Sequence, residues 1–113
     1  MRLAVALMVV LLWSALNACS SRETSRDSFV GKWKSTRATT PIYLHDNGDW
    51  EIKQNDGTIL QYGVWQLKDG SIVWSFKIGS SVGHDRNSIL SVKPREFRLR
   101  ESDGSTTTFT RLD

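Results

Sequence analysis

Cysteine is almost absent from this 113-residue sequence, and several other features are missing altogether. The single cysteine, Cys19, excludes an internal disulfide. The longest apolar run, residues 3–13, is shorter than the roughly 20 residues of a transmembrane helix. No stretch keeps a 3.6-residue apolar period, so helices are not expected. The sequence also lacks a Gly-x-Ser-x-Gly motif and the full ligand set of a calcium loop.

The amino terminus has the features of a secretion signal. Arg2 precedes the apolar run, and small residues follow the run up to Ala18. One basic residue, a short apolar segment and small residues near its end are typical of a signal peptide. We therefore expect residues 1–18 to be cleaved; the alternative is a retained membrane anchor.

The residues around Cys19 resemble the lipobox of bacterial lipoproteins. The matching residues are Leu16, Ala18 and Cys19, whereas Asn17 departs from the usual small or β-branched residue. The resemblance implies that Cys19 receives diacylglycerol and becomes the acylated first residue, which gives the protein a membrane partner. Two or more acyl chains hold a protein on a bilayer, whereas one does so only marginally. Ser20, in place of an aspartate, implies sorting to the outer membrane with the domain facing the periplasm.

The charge of the mature chain gives no reason to expect a nucleic-acid partner. Without residues 1–18 the side-chain net charge is +2, and both signs alternate along the sequence. Residues 19–27 are polar and serine-rich, which predicts a tether, with a short helical turn as the alternative. Residues 28–113 are expected to form one domain, which we expect to be a monomer.

Turn signals divide residues 28–113 into short alternating segments. Asn-Gly or Asp-Gly pairs occur four times, and Pro94 marks a fifth turn. This spacing is typical of an all-β barrel or sandwich. It predicts eight antiparallel strands in an up-and-down order: residues 29–37, 41–45, 50–54, 58–67, 71–78, 87–92, 96–101 and 105–111.

Alternation within these strands indicates which side chains point inward. Ile72, Trp74, Phe76 and Ile78 form the most regular apolar face, opposite Ser71 and other polar residues. The inward set contains large aromatic residues, which are candidates for the core or for a ligand site. They are Trp33, Trp50, Trp65, Trp74, Phe76, Phe97 and Phe109.

The first strand resembles the start of lipocalins and of smaller bacterial lipocalin-like lipoproteins. The resemblance rests on Gly31-Lys32-Trp33, on Gly63-Val64-Trp65, and on the final turn before Phe109 and Arg111. It implies an eight-stranded barrel in which a basic residue of the last strand crosses the Trp of the Gly-x-Trp motif. We therefore expect Arg111 to stack on Trp33 and the first and last strands to pair; the alternative is a solvated Arg111.

The residues that could act in catalysis or bind a metal do not form a recognisable site. His45 lies beside a turn, and His84 lies in what the pattern predicts to be the longest loop. Neither fits a zinc spacing, and we expect both to be solvated, with no metal and no cofactor. We therefore expect a non-catalytic protein.

Two functional classes stay open. One is a structural or protein-interaction lipoprotein with an envelope protein as partner. The other is a carrier for a small apolar ligand or lipid. A barrel of eight short strands is either filled by side chains or holds one small ligand, and the aromatic content favours the filled form.

Overall fold

The computed structural model describes residues 25–113 and shows a closed antiparallel barrel. Each strand pairs with the next in sequence, and the last pairs with the first. A 3-10 turn, Arg26–Ser28, precedes the barrel. The eight strands are β1 (Gly31–Ser35), β2 (Ile42–Leu44), β3 (Asp49–Lys53), β4 (Ile59–Lys68), β5 (Ser71–Ile78), β6 (Ser81–Lys93), β7 (Glu96–Arg100) and β8 (Thr106–Arg111).

The predicted all-β, eight-stranded, up-and-down barrel is therefore confirmed. The hairpin from β4 to β5 turns through Asp69 and Gly70, both with positive φ, as an Asp-Gly pair favours. Pairing of β1 with β8 aligns Trp33 with Arg111, which closes the sheet and leaves no free edge.

The prediction for the region between β5 and β6 was wrong in one respect. The loop assigned to residues 79–86 is instead a tight turn at Gly79–Ser80 followed by the first half of β6. His84 consequently lies within a strand, paired with Ser75.

The 3-10 turn begins inside the segment assigned to the tether. The Ser25 side chain accepts a hydrogen bond from the Asp27 amide at 3.2 Å, which caps the turn. The helical alternative thus holds for Arg26–Ser28. Residues 1–24, including the signal segment and Cys19, lie outside the described residues. Within residues 25–113, no helix has the length and apolar character needed to cross a membrane.

Ten apolar side chains form the buried core of the barrel. They include six of the seven aromatic candidates; Phe76 is half-buried. We call the end where β2 meets β3 and β6 meets β7 the closed end, and the opposite end, where β1 meets β2 and β7 meets β8, the open end. The core consists of Phe29, Trp33, Leu44, Trp50, Trp65, Ile72, Trp74, Phe97, Leu99 and Phe109.

Alternation identified the inward face correctly along most of β5, with exceptions at its two ends. Ile78 is 60% exposed because β5 and β6 extend past the core, so its prediction as an inward core residue was wrong. Ser71, expected to face outward, is buried where β5 enters the closed end.

Candidate functional site

Stacked aromatic rings fill the closed end. The Phe97 ring lies 4.6 Å from Trp33 and 4.9 Å from Phe29, both edge-on, and 4.4 Å from Phe109 in a parallel stack. Such arrangements satisfy the ring quadrupoles and exclude water. The Trp33 indole N–H donates to the Phe29 carbonyl at 2.8 Å, so the one polar atom of that indole is also satisfied. Aromatic contacts therefore pack this end.

Arg111 seals the closed end from outside the core. Its Cζ atom lies 4.3 Å from the centroid of the Trp33 ring. The guanidinium also donates to the carbonyls of Val30 at 2.9 Å, Ser28 at 3.3 Å and Pro94 at 3.0 Å. The predicted contact between Arg111 and Trp33 is therefore present.

Gly31 makes room for this contact. A Cβ atom at Gly31 would collide with Nη1 of Arg111, and its φ of 145° is one that other residues rarely adopt. The glycine of the Gly-x-Trp motif is thus required both by its backbone angle and by the side chain that crosses it.

A second cation covers Trp65 at the same end. Arg26 places its Cζ atom 4.6 Å from the Trp65 ring centroid and donates to the Asp46 carbonyl at 2.8 Å. The chain preceding β1 is therefore attached to the closed end, opposite the open end of the barrel.

The open end contains a cavity of about 380 Å³. Its floor is formed by Trp50, Trp74 and Phe109, and Trp74 lies 6.0 Å from Trp50 and 6.4 Å from Phe109 between ring centroids. The expectation of a filled interior is therefore met only at the closed end. The cavity is lined by Ser35, Arg37, Ala38, Thr40, Ile42, Trp50, Ile52, Gln61, Trp74, Phe76, Asp85, Asn87, Glu101, Thr107 and Phe109.

Two glycines shape the apolar side of this cavity. A Cβ atom at Gly63 would collide with the Ser75 carbonyl, and it would lie 2.8 Å from the Trp50 indole nitrogen. Because Gly63 has no side chain, the Trp50 indole lies close to β4, and its N–H donates to the backbone carbonyl of Ser75 on β5 at 3.2 Å. Gly83 similarly leaves space for the Phe76 ring, 2.7 Å from where its Cβ would be.

The opposite wall carries a buried polar network. The Trp74 indole donates to Asn87 Oδ1 at 2.7 Å, and the Asn87 amide donates to Glu101 at 3.4 Å. Thr107 donates to the other Glu101 oxygen at 2.6 Å, and Arg37 forms an ion pair with Glu101 at 2.6 Å. Among residues 25–113, every buried side-chain nitrogen and oxygen has a hydrogen-bond partner. This saturation holds the wall in one arrangement.

The seven aromatic candidates thus divide between two places. Trp33, Trp65 and Phe97 belong to the closed end, whereas Trp50, Trp74, Phe76 and Phe109 line the cavity. Sequence reasoning missed Asp85, Asn87 and Glu101, which supply the polar wall. The sequence could have indicated them only through pairing or alternation: Asp85 and Asn87 pair with inward residues of β5, and Glu101 comes two residues after inward Leu99.

The histidines lie on the outer surface rather than at the cavity. His45 Nε2 lies 2.8 Å from Glu51 Oε1, and His84 Nδ1 lies 2.9 Å from the Ser75 hydroxyl. Within the described part of the chain, no three His, Cys, Asp or Glu side chains gather closely enough to hold a metal ion.

A larger groove of about 710 Å³ lies outside the barrel, against the β2–β3 turn. Its lining mixes Asp46, Asp49 and Glu51 with Tyr62 and Val64. Because three carboxylates line this groove, whereas Trp74, Phe76 and Phe109 line the interior cavity, we consider the interior cavity the better candidate for a ligand site.

Hydrogen bonds in the β7–β8 turn, at the open end, stabilise the charged form of Asp103. The Ser105 hydroxyl, at 2.6 Å, and the Ser105 amide, at 2.9 Å, both donate to Asp103 and lower the pKa of its carboxyl group. Donors from Thr58, chiefly its backbone amide, lower the pKa of Asp56 in the β3–β4 turn in the same way. These are exposed turns that flank the cavity mouth.

Compared with known proteins, the chain matches no family model, no curated protein and no solved structure. Any functional conclusion therefore rests on the cavity and its lining.

Proposed function

We propose that this protein is a lipid-anchored, lipocalin-like binding protein whose open end holds a small ligand with an apolar body. The cavity of about 380 Å³ carries this proposal. Ligand sites of about 300 Å³ or more, lined by aromatic side chains and a few polar groups, are typical of small-molecule binding. The aromatic floor of Trp50, Trp74 and Phe109 offers the apolar contact.

The proposal places the anchor and the ligand at opposite ends of the molecule. Lipid on Cys19 would be seven residues before Arg26, which contacts Trp65 at the closed end. The closed end then faces the bilayer and the cavity mouth faces away, toward the periplasm if Ser20 directs sorting to the outer membrane. A ligand would enter the cavity from solution rather than from the bilayer.

An outer apolar strip supports a second candidate, a protein-interaction role. Leu60, Tyr62 and Val64 alternate along β4 and are each more than half exposed. Exposed apolar patches often mark interfaces, although this strip lies on only one strand. We rank this role second because the strip lies on a single strand, whereas Trp50, Trp74 and Phe109 line the cavity from three strands.

Ligand-observed ¹⁹F NMR with 6-fluorohexan-1-ol tests the binding proposal. The full-length chain is expressed in a bacterial host and placed in phosphatidylcholine nanodiscs, and empty nanodiscs serve as the blank sample. The expected result is saturable line broadening greater than that caused by empty nanodiscs. Gln61→Trp, in the cavity lining, should weaken binding about tenfold or more, since the indole would occupy ligand space.

Gln66→Trp is the matched control. It introduces the same side chain into the same strand, at an exposed residue that does not line the cavity. Binding should be unchanged. Absence of saturable binding by the unmodified chain, or equal loss in both variants, would overturn the proposal.

A further inference from the structure

The polar wall of the cavity carries a carboxylate with no cationic partner. Asp85 lies on β6 directly opposite Trp74 of β5, and it lines the cavity. Its side chain accepts one hydrogen bond, from the exposed Ser102 hydroxyl at 3.1 Å. Among residues 25–113, no Lys, Arg or His nitrogen lies within 4.0 Å of this carboxylate.

The other two charges of the lining neutralise each other. Glu101 is held by Arg37 at 2.6 Å, and the Glu101 side chain is 7% exposed whereas that of Arg37 is 64% exposed. Among residues 25–113, Arg37 is the only Lys or Arg that lines the cavity. The lining therefore has one net negative charge, and it belongs to Asp85.

We propose that the cavity selects ligands with a cationic group, an amine or ammonium, on an apolar body, with Asp85 as the counter-ion. This inference rests on the proposed binding function. An apolar body against Trp50 and Trp74 would displace water from the Asp85 carboxylate, and a carboxylate that loses water without gaining a partner is destabilised. An ammonium supplies that partner through a charge-assisted hydrogen bond. An anionic ligand would instead meet a like charge.

Competition between three ligands of equal chain length tests the inference. Hexylamine, hexan-1-ol and hexanoate each displace 6-fluorohexan-1-ol from the full-length chain in phosphatidylcholine nanodiscs at pH 7, with empty nanodiscs again as the blank sample. Hexylamine, protonated at this pH, should act at about tenfold lower concentration than hexan-1-ol, and hexanoate at a higher one. This ranking needs no variant.

Asp85→Asn should abolish the preference for hexylamine, so that hexylamine and hexan-1-ol displace 6-fluorohexan-1-ol at similar concentrations. Asp56→Asn is the matched control, because it removes one negative charge from a turn at the same end without touching the cavity lining. It should keep the preference.

Equal displacement by hexylamine and hexan-1-ol in the unmodified chain would overturn the inference and leave the binding function standing. So would a preference that survives in Asp85→Asn. Absence of saturable 6-fluorohexan-1-ol binding would overturn the binding function itself, and the inference with it.

Discussion

Arg111 Cζ lies 4.3 Å from the centroid of the Trp33 ring, and this contact joins the last strand of the barrel to the first. The same guanidinium reaches the carbonyls of Ser28, Val30 and Pro94. One side chain therefore ties together the segment before β1, the β6–β7 turn and β8. The closed end is connected to the cavity floor through Phe97, which packs on Trp33 and stacks on Phe109.

Arg111→Ala should lower the free energy of unfolding by about 2–3 kcal/mol. The variant loses a cation–π contact of roughly 0.5–2 kcal/mol together with hydrogen bonds to three backbone carbonyls. Arg100→Ala, at an exposed position of β7, should change stability by less than about 0.5 kcal/mol. Urea denaturation compares the two; equal effects would mean that the contact contributes nothing specific.

Much of the fold could be predicted because its signals are local. Asp-Gly and Asn-Gly pairs mark four of the seven hairpin turns, and positive φ at Asp69 and Gly70 shows the physical cause. The pairing of β1 with β8 is not local. It came from the resemblance of the Gly31-Lys32-Trp33 segment, not from any periodicity.

The cavity could not be predicted because alternation disappears where a strand is polar on both faces. Along the first half of β6, His84 and Arg86 face solvent, whereas Gly83 and Asp85 face the inside. Such a segment has the composition of a loop. The pairing of Arg37 with Glu101 likewise depends on how distant strands meet, which the sequence does not reveal.

Trp74→Ala should cost about 3–5 kcal/mol of unfolding free energy, since it removes a buried aromatic side chain and leaves Asn87 without its indole donor. Ile78→Ala, on the same face of β5 but exposed, should cost no more than about 0.5 kcal/mol. Equilibrium denaturation provides both values. A loss below about 1 kcal/mol for Trp74→Ala would contradict the inward face assigned to this strand.

Asp103 should titrate below the ordinary aspartate range in a carbon-detected NMR titration, because the Ser105 hydroxyl and amide stabilise its charged form. A folded-state pKa below the unfolded one stabilises the fold above the unfolded pKa, and this contribution disappears as pH falls through the folded value. Ser105→Ala should raise the Asp103 pKa toward the ordinary value. An unchanged pKa in that variant would exclude the hydroxyl as the main cause.

Cys19→Ser should yield an uncleaved precursor without lipid, because the lipobox resemblance assigns both processing steps to this thiol. Mass spectrometry of the protein that keeps Cys19 should find a diacylglyceryl group on this residue and a new amino terminus there. A free thiol, or an amino terminus at another residue, would contradict the anchored form of the proposal.

The most direct test of the central claim, that the open end of the barrel binds a ligand, is protein-observed ¹⁹F NMR of the chain labelled with 5-fluorotryptophan. Trp50 and Trp74 line the cavity, whereas Trp33 and Trp65 fill the closed end and serve as internal controls. Addition of hexan-1-ol should shift the Trp50 and Trp74 resonances in a saturable manner and leave those of Trp33 and Trp65 in place. Shifts confined to Trp33 and Trp65, or no saturable shift at all, would contradict the account.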